Sequence, residues 1–144
     1  MLTRAADYGV RVMIHMATLP AGTRVQRSVL AEATEVPDSF MSKVLQALVR
    51  ARMITSQRGV DGGFQLILSP SSISLLDVVQ AIEGPLQLNA CVGDGKGCKR
   101  SISCAAHLVW KEAQDATVKV LKSANIADLA RLTLIRQATA SLAP

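Results

Sequence analysis

The sequence predicts a mostly α fold that carries one small β-hairpin and a long helix near its end. Three observations predict it. Apolar residues recur three and four apart over most of the 144 residues, which is the period of a helix. The pattern changes to alternation once, in ITSQRGVDGGFQLILS, as a hairpin requires. Hydrophobic residues make up 49% of the chain but aromatics only 3%, so the core must be built from Ala, Val, Leu, Ile and Met.

The first helix is expected from Thr3 to about Leu19. Ala6, Val10, Met13, Ile14 and Ala17 mark its inner face, and Pro20 with Gly22 end it. The other side carries Asp7, Arg11 and His15 at four-residue spacing, which reads as a solvated face with one ion pair. A short helix follows, about Gln26 to Thr34, with Val29, Leu30 and Ala33 turned inward. Glu35 then stands where a helix-turn-helix favours glycine for its positive φ, which predicts an irregular turn. Pro37 suits the first position of a third helix running to about Arg52. In that helix Phe40, Met41, Val44, Leu45, Leu48 and Val49 form a continuous buried stripe. Ser39, Ser42, Lys43, Gln46 and Arg50 are left outside, and all can bond phosphates or base edges. The hairpin comes next, with Phe64, Leu66 and Leu68 on one face and Arg58 at the tip, inside the turn RGVDGG.

Helix, short helix, tight turn, helix and hairpin is the plan of a winged helix-turn-helix. There the third helix enters the major groove of double-stranded DNA and the hairpin reaches the backbone or minor groove. Net charge is +5, which permits such a partner without locating its face. Residues 1–70 hold eight Lys or Arg against five acids, and residues 71–144 eight against six.

After Pro70, Ser74 and Asp77 form a capping box for a helix in which Val78, Val79 and Ile82 pack and which Gly84 and Pro85 stop. A long helix runs from about Ser103 to Ser123, and its Val109, Ala113, Ala116 and Val120 alternate three and four apart. That seam resembles a coiled-coil contact and favours a homodimer. Asn125 with Asp128 caps a last helix of about Ile126 to Leu132. The domain division is therefore 1–70, the winged helix-turn-helix; 71–90, a connecting helix; 91–107, a cysteine loop; and 103–144, the dimerisation helix and C-terminal segment.

All three cysteines, Cys91, Cys98 and Cys104, fall within fourteen positions, and His107 follows the last by three, on the same helix face. Gly93, Gly95 and Gly97 lie between the first two, so the loop can wrap a bulky group with its amides turned inward. No apolar run approaches a membrane span and the first residues lack a signal-peptide core, so the chain is expected in the cytoplasm. In a reducing compartment clustered cysteines are more often metal ligands or redox thiols than structural disulfides. A structural zinc would favour close pairs such as CxxC, which are absent. A thiol switch uses two cysteines and leaves the third and the histidine without a role. An iron–sulfur cluster, wider than one ion, leads. An enzyme or electron carrier built on the same cluster is disfavoured: no dinucleotide fingerprint follows a strand, and no second cluster motif occurs. No small-molecule substrate is expected.

Taken together, the helix-turn-helix, the wing RGVDGGF, the helix end IEGPL and the three-cysteine loop resemble the Rrf-two family of bacterial regulators (IscR-, NsrR- and RirA-like). The resemblance runs from LTRAADYGVRVM to NIADL. It implies a DNA-binding transcriptional regulator, acting as a repressor, that is a homodimer with one iron–sulfur cluster per subunit and senses iron, nitric oxide or redox state. Carried over, Cys91, Cys98 and Cys104 match the family's cluster cysteines, although the first gap is one residue longer than the IscR-like pattern. The segment CAAHLVW places His107 as the fourth ligand of a 2Fe-2S cluster, which is favoured. Asp7 matches the carboxylate that other members contribute from the partner subunit to a 4Fe-4S cluster. Arg58 matches the family's wing arginine. The alternative is a cluster-free regulator using thiol oxidation or zinc at the same cysteines.

Overall fold

The computed structural model describes residues 2–93 and 98–142. The expected loop residues Gly95 and Gly97 lie outside the described residues. Eight elements follow one another among those described: α1 (Arg4–Thr18), α2 (Arg27–Thr34), α3 (Asp38–Arg50), β1 (Ile54–Gln57), β2 (Gly63–Leu66), α4 (Leu75–Glu83), α5 (Ala105–Ser123) and α6 (Ile126–Ala140). Single 3-10 turns at Pro70–Ser72 and Ala90–Val92 join them. No helix among the described residues is long and apolar enough to cross a membrane.

Helix α1 is the centre of the packing and touches α2, α3, α4 and α6. Its inner face is wider than the expected stripe. Ala6, Gly9, Val12, Met13 and Met16 are fully buried, whereas Val10, Ile14 and Ala17 are only half-buried. A helix enclosed on several sides buries a wider arc than a one-faced stripe. α1 approaches α4 closely at Gly9, where a Cβ would stand 2.9 Å from the Ile82 side chain. α2 packs through Leu30 and Thr34, while the expected inward residues Val29 and Ala33 are exposed, because α2 has only α1 and α3 as close neighbours. On α3 the expected stripe is found: Met41, Val44, Leu45 and Leu48 are buried, with Phe40 and Val49 packed at its edges. Pro37 precedes this helix as its N-cap rather than opening it.

The hairpin pairs Ile54 with Leu66, Thr55 with Gln65, Ser56 with Phe64 and Gln57 with Gly63. Leu68 lies beyond the strand and is exposed, so the apolar alternation of the hairpin ends at Leu66. The sequence gives no sign of a third short partner, Val25, whose N–H donates to the Phe64 carbonyl at 2.9 Å and whose carbonyl accepts from the Phe64 N–H at 2.8 Å. Gly63 makes this possible: its φ is 132°, and a Cβ there would stand 2.5 Å from the Val25 carbonyl oxygen.

The capping box of α4 is present. Ser74 Oγ accepts from the Asp77 N–H at 3.1 Å, and the Asp77 carboxylate accepts from the Ser74 N–H at 2.8 Å. Asn125 caps α6 in the same manner, accepting from the Asp128 N–H at 2.8 Å. α6 extends to Ala140, well past the expected Leu132, since TLIRQATA contains no helix breaker before Pro144. It lies along α1. α5 contains no fully buried residue. It leans on Ala6, Leu76, Val79 and Leu86 through half-buried Val118 and Leu121, while Val109 and Val120 of the expected seam are 67% and 66% exposed.

Candidate functional site

Two sites can be built from the residues singled out in the sequence. At the first, Ser39, Ser42, Lys43, Gln46 and Arg50 are all exposed on α3, and Arg58 is exposed where the hairpin turn begins. A groove of about 450 Å3 between α3 and the hairpin gathers Ser42, Gln46, Arg50, Ser56 and Arg58 with Arg27 of α2. Lys43 faces the opposite flank, where a smaller recess of about 320 Å3 brings it together with Gln46, Arg50 and Ala5. Ser39 lies in the first turn of α3 and lines neither. Three guanidinium groups thus converge on one groove beside a polar helix face, a charge pattern suited to a nucleic-acid backbone.

The hairpin that carries Arg58 is braced. Arg24 Nη2 donates to Gln65 Oε1 at 3.0 Å, Arg24 Nη1 donates to the Asp61 carbonyl at 3.4 Å, and Gln26 Nε2 donates to the Val60 carbonyl at 3.4 Å. Inside the turn, Gly62 N–H donates to the Gly59 carbonyl at 3.0 Å, with Gly59 at φ 109°. Sequence reasoning missed Arg27. It opens α2, where the helix dipole disfavours a cation, and it is held there by Asp38 Oδ1 at 3.2 Å. A cation in a first helical turn was the available signal.

The second site is the cysteine segment. All three cysteines are free thiols; Cys91 and Cys98 are half-buried and Cys104 is exposed. Cys91 sits in the Ala90–Val92 turn, and Cys104 is the N-cap of α5. A cavity of about 390 Å3 is lined by Cys91, Ser101, His107, Lys111, Gln114 and Asp115, together with Val92 and Gly93. His107 Nδ1 is buried and has no hydrogen-bond partner, and its N–H from the backbone donates to the Cys104 carbonyl at 3.0 Å. The structure brings Cys91 and His107 to one cavity. It does not bring Cys98 and Cys104 to the same lining, and no three His, Cys, Asp or Glu side chains among the described residues converge closely enough to hold a metal ion. Asp7 lies elsewhere, exposed on α1 and paired with Arg11 at 2.8 Å.

Comparison with known proteins places this architecture. Residues 2–132 match the Rrf2 (Rrf-two) family, described as iron-dependent transcriptional regulators. The chain belongs to the Rrf2 family. A curated relative from Mycobacterium tuberculosis, named as an HTH-type transcriptional regulator, is 33% identical over 129 residues, covering 90% of this chain and 80% of that one. Among solved structures, Staphylococcus aureus CymR is 26% identical with a TM-score of 0.71, covering 89% of this chain and 96% of that one. T. potens IscR shares the fold at a TM-score of 0.72 and 21% identity, over 100% of this chain and 92% of that one. The six helices and two-stranded antiparallel sheet of this Rrf2-family chain are therefore those of a winged-helix transcriptional regulator.

Proposed function

We propose that this Rrf2-family regulator is a cytoplasmic homodimeric repressor that binds operator DNA and is controlled by one iron–sulfur cluster per subunit, held by Cys91, Cys98, Cys104 and His107. In this reading residues 1–70 read DNA, 71–90 connect, 91–107 hold the cluster and 103–144 dimerise. The observation that carries it is the buried, unpartnered Nδ1 of His107 in a cavity shared with Cys91. Leaving a buried imidazole nitrogen unpaired costs about 1–3 kcal/mol, and coordination to iron satisfies it. A second observation agrees. α5 starts at Cys104 with no side-chain cap and no acid in its first turn, so its positive end favours an anionic group such as thiolates around a metal.

When bound, the cluster supplies a centre that exchanges electrons and iron and reacts with oxidants or nitric oxide. The chain's own residues do the rest. Cys91 and His107 share one cavity, and in this reading ligation brings Cys98 and Cys104 to them. Ser39, Ser42, Lys43 and Gln46 face the bases, while Arg50 and Arg58 hold phosphate or the minor groove, with Arg27 as a further backbone contact. With His107 as the fourth ligand the cluster is 2Fe-2S. Asp7, already paired with Arg11, is the less favoured donor and would make it 4Fe-4S.

A second reading, thiol oxidation without a cluster, is favoured by one comparison: the oxidized form of Staphylococcus aureus CymR is 25% identical to this chain with a TM-score of 0.72, covering 90% of this chain and 95% of that one. Anaerobic purification followed by a visible spectrum and assays of iron and sulfide separates the two. Matched iron and sulfide, with a spectrum altered in His107→Ala and unaltered in Asp7→Asn, is the expected result. A protein still colourless after reconstitution overturns the cluster and leaves the thiol reading.

A further inference from the structure

One side chain ties the cysteine segment to the long helix. The Gln114 amide of α5 makes two hydrogen bonds to a single short run of backbone: Nε2 donates to the Leu86 carbonyl, and Oε1 accepts from the Leu88 N–H at 2.9 Å. That run leaves α4 at Gly84, is anchored by the buried side chain of Leu86, and reaches Cys91 three residues after Leu88. Between Leu88 and Cys91 the backbone is held again, because Asn89 Oδ1 accepts from the Ala90 N–H at 2.7 Å and the Asn89 carbonyl from the Val92 N–H at 3.1 Å. Gln114 also follows His107 by seven residues, which returns it to the same helix face, and it lines the cavity that Cys91 and His107 share.

The geometry points to Gln114 as a positioning residue that sets Cys91 against His107 before any metal arrives. It rests on reading those two residues as ligands of one centre. The side-chain type matters. A primary amide offers a donor and an acceptor on one planar group, which neither a carboxylate nor an alkyl chain does. A glutamate in its place keeps an acceptor for the Leu88 N–H but loses the donor to the Leu86 carbonyl. A leucine fills the space and leaves both backbone groups unpaired. Cys91 and His107 are the two candidate ligands that share this cavity, and fixing their separation in advance lowers what ligation must overcome.

The test uses the full-length protein and two variants, Gln114→Leu and Gln114→Glu. In the metal-free protein under anaerobic conditions, the rate of iodoacetamide labelling is followed at each cysteine by peptide mass spectrometry. Loss of both hydrogen bonds in Gln114→Leu is expected to speed labelling of Cys91 by about tenfold and to hold Cys104, which belongs to α5 itself, at the wild-type rate. Gln114→Glu is expected to fall between. After reconstitution with ferrous iron and sulfide, Gln114→Leu is expected to lose iron to a chelator faster than wild type. Unchanged labelling of Cys91 in a folded Gln114→Leu overturns the assignment, as does equal acceleration of all three cysteines. Where Gln114→Leu fails to fold, wild-type labelling in Gln114→Glu overturns it. If wild type takes up no iron but Cys91 alone responds to Gln114, the positioning of the thiol stands and the cluster reading fails.

Discussion

Glu35 holds a backbone conformation that side chains avoid, with φ 54° and ψ 33° at the end of α2. The sequence reading expected an irregular turn there. Instead the left-handed geometry is kept, and the Cβ atom bears its cost of about 1–2 kcal/mol. Glycine relieves that strain but loses more freedom on folding, so Glu35→Gly is expected to stabilise the protein by about 0.5–1 kcal/mol; a melting temperature equal to or below wild type refutes this. Arg58 is the second decisive position. It stands on a braced wing, in a groove with Arg27 and Arg50. Arg58→Ala is expected to weaken operator binding and to lower the slope of log affinity against log salt by about one. Fluorescence anisotropy over a salt series measures both, and an unchanged slope removes Arg58 from the backbone contacts. At this scale the sequence named the exposed residues of α3 and the cysteines by type and spacing. It missed Arg27, whose role depends on a groove formed only when α2, α3 and the hairpin meet. It also left open where the three thiols stand relative to one another, because glycine-rich backbone carries no periodicity from which to fix directions.

Elements were legible where a local signal marks them and less so where tertiary contact decides. The capping residues Ser74 and Asn125 and the alternation of the hairpin were read directly, and each has the expected hydrogen bonds. The inner face of α1 is wider than the stripe read from the sequence because four helices pack against it, and α6 runs past Leu132 because helix propensity continues to Ala140. The two caps also meet. Ser74 bridges Asn125, the Leu75 N–H donates to the Ala124 carbonyl at 2.8 Å, and the Ile126 N–H donates to the Ile73 carbonyl at 2.9 Å. The starts of α4 and α6 are therefore one joint. Ser74→Ala and Asn125→Ala are each expected to destabilise by about 1 kcal/mol. In the double variant the losses are expected not to add, since both act on that joint. Chemical denaturation of the four proteins measures this, and strict additivity shows the caps to be independent.

A single chain leaves apolar surface uncovered on its last two helices. α5 buries no residue fully, and Leu108, Val109 and Val120 are exposed along it, as are Leu132, Leu134 and Ile135 on α6. So much apolar surface on consecutive helices marks an interaction site, and a seam spaced three and four apart suits a second copy of the same helix. A symmetric dimer also gives α3 a use that one head lacks. Two recognition helices at a fixed separation read two half-sites, and a head alone keeps mainly its electrostatic, sequence-independent contacts. Val109→Lys with Val120→Lys places cations in the seam without touching the winged-helix head or the thiols. The doubly substituted protein is expected to be a monomer by sedimentation, with wild-type helicity and near-wild-type affinity for non-specific DNA. Its preference for operator over non-specific DNA is expected to fall by at least about tenfold, within the range that separates specific from non-specific binding. A variant that remains dimeric moves the interface away from Val109 and Val120. A monomer with undiminished operator preference shows that one head reads the site alone.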